Sequence, residues 1–162
     1  MEVYVLVEKK KNVLFHILGA LALATGVVLL FMALLGAPEF IPFAAIGIVV
    51  GWILKNGNIE YEYSYYDGEF RFARIVNKSR RKELRPYTIE ELLVIAPIED
   101  RAVYQYLNDS TSKKLDYTSN QPGAKVYALV AKGDSGVHVV KFEPDEKYLD
   151  AVCIKYAQKI KR

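Results

Sequence analysis

From Val13 to Leu35 the chain carries no acid, lysine or arginine. As a helix that run is about 34 Å long, enough to cross a hydrocarbon core of ~30 Å with some tilt. A second run, Phe40 to Leu54, gives only about 22 Å as a helix and is marginal by itself. Between them lies "LLGAPEFIPF", residues 34–43, with one glycine, two prolines and Glu39. Pro38 and Pro42 would break one continuous helix, and Pro42 suits the first turn of a second. The pattern predicts a membrane helical hairpin: a first transmembrane helix over 12–35, a short loop over 36–41, and a second transmembrane helix over 42–55.

After Asn58 the period changes. "IEYEYSYY" (59–66) alternates Ile59, Tyr61, Tyr63 and Tyr65 against Glu60, Glu62 and Ser64, which predicts a half-buried strand. "DG" at 67–68 is a two-residue hairpin signal, and "EFRFARIV" returns as the partner. Further strands are expected around 82–87, 92–98, 114–118, 125–131 and 137–142, the last two flanking the turn "KGDSG". Residues 99–113 and "SNQPG" (119–123) read as polar and irregular. Leu149, Val152, Cys153, Tyr156, Ala157 and Ile160 then fall three and four apart, one helical face. Pro144, Asp145 and Glu146 suit its start, and Lys155, Lys159, Lys161 and Arg162 its end. The soluble part is thus α+β: about seven short antiparallel strands in a bent sheet or barrel, closed by a C-terminal helix.

Charge placement sets the topology. Lys9, Lys10 and Lys11 precede the first run, and Lys55 and "KSRRK" (78–82) follow the second, whereas the loop holds no cation. By the positive-inside rule both termini are cytoplasmic and the loop is outside, a two-pass cell-membrane protein. A signal peptide fits the first run poorly, since the run is long, glutamates precede it and a second span follows. "GIVVG" pairs Gly47 with Gly51, and Ala20/Ala24 make a similar step on the first helix, so these four are expected where the helices touch. His16, near the cytoplasmic end, reads as a snorkelling or helix-pairing side chain.

Segment 1–11 is a cytoplasmic N-terminal piece. "EVYVLVE" within it reads as a strand able to join a sheet edge, or else as an extension of the first helix. Residues 56–162 form the one soluble domain that the length allows. The net charge of +3 shows no strongly basic domain of nucleic-acid-binding type. The single cysteine, Cys153, excludes an internal disulfide and a cysteine metal cluster.

Two apolar helices followed by "YEYSYYDGEFRFARIVNKSRRKELRPYTIEEL" resemble the bacterial pleckstrin-homology-like proteins. More closely, nearly the whole chain, from "EVYVLVEKKK" to "FEPDEKYLDAV", is similar to a bacterial family of small two-pass membrane proteins with such a cytoplasmic domain. The resemblance implies a fold and a membrane address, and no activity or functional residues.

The densest charge lies at Arg71, Arg74, Lys78, Arg80, Arg81, Lys82 and Arg85, with only Glu83 inside the span. The linker 55–58 keeps the domain within about 15 Å of the bilayer, where each cation near an anionic leaflet contributes ~1 kcal/mol. This segment is the candidate lipid- or partner-binding site; its alternative is a solvated hairpin tip. No phosphate loop, Ser/His/Asp set or metal spacing appears, so no catalytic residue, metal or cofactor is expected. His138 reads as a strand residue with one hydrogen bond. The expected function is a membrane-proximal protein-interaction or scaffolding module, with a protein partner or further copies of itself. The alternative is a sensor of anionic headgroups; a small transport or channel subunit fits less well.

Overall fold

The computed structural model describes residues 2–10, 13–134 and 136–161. Lys11 and Asn12 before the first helix, Ser135 of the second hairpin turn and Arg162 lie outside the described residues. The chain divides into two compact units: Lys10–Asn58, and Met1–Lys9 together with Ile59–Arg162.

The first unit is a pair of helices, α1 (Val13–Leu34) and α2 (Ile41–Asn56), joined through a 3-10 turn at Pro38–Phe40. Helix α1, and the stretch Pro38–Asn56 in which the 3-10 turn runs on into α2, are each long and apolar enough to cross a membrane by length and composition. Their seam is built on small residues. A Cβ added to Gly51 would stand 2.6 Å from the backbone nitrogen of Leu23, and one on Gly26 would stand 2.8 Å from that of Ile48. Gly47 lies against Gly26 and Ala22. Ala20 and Ala24, expected at this seam, are instead exposed on another face of α1. Only glycine, with no side chain, permits this closeness of backbones, so Gly19 and Gly26 take the seam positions that alanine would hold apart.

The second unit holds two sheets. In the first, β1 (Val3–Glu8), β2 (Ile59–Tyr66), β3 (Glu69–Val76) and β4 (Arg80–Glu83) lie side by side in that order. A short β5 (Tyr87–Thr88) also pairs with β3. The second sheet runs β6 (Leu92–Pro97), β8 (Tyr127–Gly133), β9 (Gly136–Phe142), β7 (Lys113–Asp116). The 59–76 hairpin is as the alternation predicts, and Asp67 and Gly68 both take the positive φ its turn requires, 45° and 89°. The N-terminal segment is a strand: β1 runs antiparallel to β2 from Val3↔Tyr65 to Glu8↔Glu60.

Both sheets turn aromatic faces to one core. Phe72 lies 5.8 Å from the ring centroids of Tyr63 and Phe142, 5.4 Å from Tyr117 and 6.2 Å from Tyr87. The Tyr63 hydroxyl donates to the Tyr117 carbonyl, and burial pushes the Tyr63 phenol well above its ordinary pKa. Helix α4 (Glu146–Tyr156) lays Tyr148, Leu149, Ala151 and Val152 on this core, and Cys153 packs half-buried against it. Asp145 caps α4 by accepting from the Tyr148 amide at 2.7 Å.

Five expectations need correction. The strands number nine among the described residues and fall into two sheets, not one bent sheet of seven. The strand expected near 82–87 is two pieces, β4 and β5, separated at Pro86, which has no N–H to give a ladder. Strand β7 runs parallel to β9, because the 117–126 connection carries the chain away before β8 and β9 form their own hairpin. The polar stretch 99–113 contains helix α3 (Arg101–Asn108), whose first turn Asp100 caps by accepting from the Ala102 amide at 2.7 Å. The C-terminal helix ends at Tyr156; Ile160 lies beyond it, bridged to Ile95 of β6.

Candidate functional site

The basic segment is one cluster in sequence and three places in the fold. Arg71 donates to Glu69 at 2.6 Å. Arg81 pairs with Glu62 at 2.7 Å and Glu83 at 3.0 Å. Arg85 pairs with Asp134 at 2.6 Å and Glu91 at 3.0 Å. These three guanidiniums are neutralised locally. Lys78, in the β3–β4 turn, approaches Glu60 only to 3.9 Å. Arg74, Arg80 and Lys82 form no ion pair within 4.0 Å among the described residues.

The period of a strand explains the division. Arg71 and Ala73 share the outer face of β3, opposite Ser64 and Glu62 of β2. Arg74 shares the other face with Phe70 and Phe72, opposite Tyr61 of β2, and is exposed. Across the strand pair Arg74 stands opposite Lys82, and Val76 opposite Arg80. Two like charges directly opposite each other destabilise a sheet unless an anion bridges them. The same end carries Lys9, whose amide donates to the Ile59 carbonyl and whose ammonium lies 5.9 Å from the Tyr61 ring centroid. Sequence reading missed Lys9 as a neighbour, because the β1–β2 pairing spans the whole apolar hairpin.

The outer face of this sheet is a second feature that the sequence alone did not single out. A groove of about 660 Å³ runs over Ser64 and Ala73, beside Tyr4. Tyr4 is 71% exposed and Leu6 53%, while Val3, Val5 and Val7 on the other face of β1 pack inward. The signal was present in "VYVLV", which is apolar at both parities and therefore has two apolar faces.

His138 belongs to neither feature. It is buried in β9 and shares a 2.8 Å hydrogen bond with the Tyr87 hydroxyl, tying the two sheets together. Burial, then the Arg85 and Lys113 charges, hold the imidazole below its ordinary pKa; burial pushes the Tyr87 phenol up to about 12. A depressed folded value means that the unfolded chain takes up the proton first. The His138 contribution is therefore complete above pH ~6.5 and is lost as pH falls from there through the folded value. Urea unfolding of the full chain is expected to weaken between pH 7.5 and 5.5 by up to about 1.4 kcal/mol per pH unit. In H138Q that slope is expected to be shallower.

Among the described residues no group of three or more His, Cys, Asp or Glu side chains could hold a metal ion. Two sheets sharing an aromatic core, with a C-terminal helix packed on it, define a pleckstrin-homology-like domain, a class whose members are generally binding modules. Residues 1–162 match the family described as Bacterial PH-like domain (DUF6106), and the chain belongs to that family. No curated protein and no solved structure matches it.

Proposed function

We propose that the protein is a non-enzymatic, membrane-tethered PH-like module whose soluble unit docks on anionic lipid through Arg74, Lys78, Arg80 and Lys82. The observation that carries this is the uncompensated pairing of Arg74 with Lys82, beside Arg80, in a segment whose other three arginines all have acids. Both covalent connections to the apolar hairpin leave from that same end of the sheet, Lys9 after β1 and Ile59 at the start of β2. The hydrogen bond between these two residues also supports an even number of crossings, because the ends of segment 10–58 return to one place. Lys9, Lys10 and Lys55 flank the hairpin and its loop has no cation, so that place is the cytoplasmic face of the cell membrane.

The test uses the full chain in nanodiscs. Amides of 74–84 are expected to exchange more slowly in discs containing anionic lipid than in zwitterionic discs, and high salt should remove the difference. At ~1 kcal/mol per cation, reversing Arg74, Arg80 and Lys82 to Glu should cost about 3 kcal/mol of docking, on the order of a hundredfold. R71Q, which removes a paired arginine, should change little. Equal exchange in both kinds of disc would refute leaflet docking.

A second reading, a protein-interaction or scaffolding module, is favoured by the exposed Tyr4 and Leu6 beside the outer groove.

A further inference from the structure

The groove lies on the outer face of the β1–β4 sheet, where Ser64 of β2 and Ala73 of β3 make a shallow floor. Tyr4 stands on one side and Leu84 and Pro86 on the other. The Leu84 amide still donates to the Phe72 carbonyl at 2.9 Å; beyond it the chain leaves the ladder, since Pro86 has no amide to give. At about 660 Å³ the groove falls in the ~300–1,000 Å³ range of sites that enclose a small ligand, so it takes a few side chains, not a globular surface.

Its charge runs against that of the chain. The protein has a net charge of +3, yet the groove is lined by Glu2, Glu62, Glu69 and Glu83 against Arg71 and Arg81. Both arginines are already held by acids of the groove itself. Glu8 and Glu60 extend the acidic row along the same face, directly opposite each other. A ligand must therefore bring positive charge to the rim and aliphatic or aromatic surface to Tyr4 and Leu6.

We infer that this groove binds an extended lysine- or arginine-rich segment that also carries apolar side chains, the chemistry of the cytoplasmic juxtamembrane stretch of another membrane protein. The inference rests on the partner-binding reading and names its partner. Cytoplasmic segments beside membrane helices are enriched in Lys and Arg next to apolar residues. A module anchored in the same bilayer shares a surface with them, which raises the effective concentration of a weak ligand.

The probe is a fluorescein-labelled octapeptide alternating lysine with leucine, titrated into the full chain in zwitterionic nanodiscs with empty discs as the baseline. An acidic octapeptide alternating glutamate with leucine and a neutral one alternating serine with leucine are run beside it. Saturable binding of the cationic peptide alone supports the inference, as does weakening by about tenfold or more in the exposed double variant Y4S/E83K. The remote double variant E90K/Y104S should bind like the unmodified chain; these four positions are exposed, and circular dichroism checks that both variants fold. Equal binding of the neutral or acidic peptide overturns the cationic assignment while leaving partner binding in place. Absence of binding by all three overturns both. A dimer in peptide-free discs that Y4S abolishes, seen by mass photometry, overturns it in favour of a second copy.

Discussion

Replacing Phe72 by alanine is expected to destabilise the soluble unit by about 3–5 kcal/mol, the range for a fully buried aromatic residue. Phe72 is 2% exposed and touches four other rings drawn from both sheets and the segment after β7. The loss combines transfer of the ring from water, the edge-to-face contacts, and a cavity that flat neighbours cannot collapse into. For a unit of this size each kcal/mol lowers Tm by roughly 4 °C or more, so a fall of about 12–25 °C is expected. Near-UV circular dichroism of the full chain in detergent during heating measures it. A fall of only a few degrees would mean that the sheets do not share one core.

The helical unit should fail separately. Leucine at both Gly26 and Gly51 inserts side chains where a single added carbon already stands 2.8 Å and 2.6 Å from backbone nitrogens of the other helix. Overpacking costs about 1–3 kcal/mol per site, and the two sites, one on each helix of the same seam, should together cost up to roughly 6 kcal/mol, less where the first insertion has already parted the helices. The helices should keep their secondary structure and come apart. In an SDS titration the variant should lose the hairpin at a lower mole fraction, while the aromatic near-UV signal of the soluble unit stays unchanged. Leucine at Ala20 and Ala24, which are exposed, should shift the titration little. If the alanine variant behaved like the glycine variant, the seam would run along the other face of α1.

What the sequence shows and what it hides follow the range of each interaction. The 59–76 hairpin was legible because its turn is two adjacent residues and its strands alternate. Helix α4 was legible through its three-and-four spacing, although its stripe ran on to Ile160, which belongs to a bridge with β6. Helix α3 was hidden by its eight residues and polar composition; the Asp100 cap with Val103 and Leu107 was its one signature. The parallel pairing of β7 with β9 joins Lys113 to His138, and no local pattern specifies a partner so far along the chain.

The same rule separates the candidate cations. Their density was plain, but their partners were not: Glu62 lies well before Arg81, and Asp134 well after Arg85. Only strand parity, applied once the register was known, divides Arg74 and Lys82 from Arg71 and Arg81. The helix seam was half legible. Small residues recur at 19, 22 and 26 and again at 44, 47 and 51, matching intervals of three and four, and that match points to the observed face of α1 where the Ala20/Ala24 step did not.

Strand β1 pairs with β2, and everything between them in the chain is the apolar hairpin. On the ribosome, Val3–Glu8 emerges before any residue it will bond to. At roughly 5–20 residues per second it waits several seconds while the helices are made. During that interval an uncommitted strand, apolar on both sides, is exposed to other nascent chains, and assembly of the first sheet cannot finish until the apolar hairpin has been made.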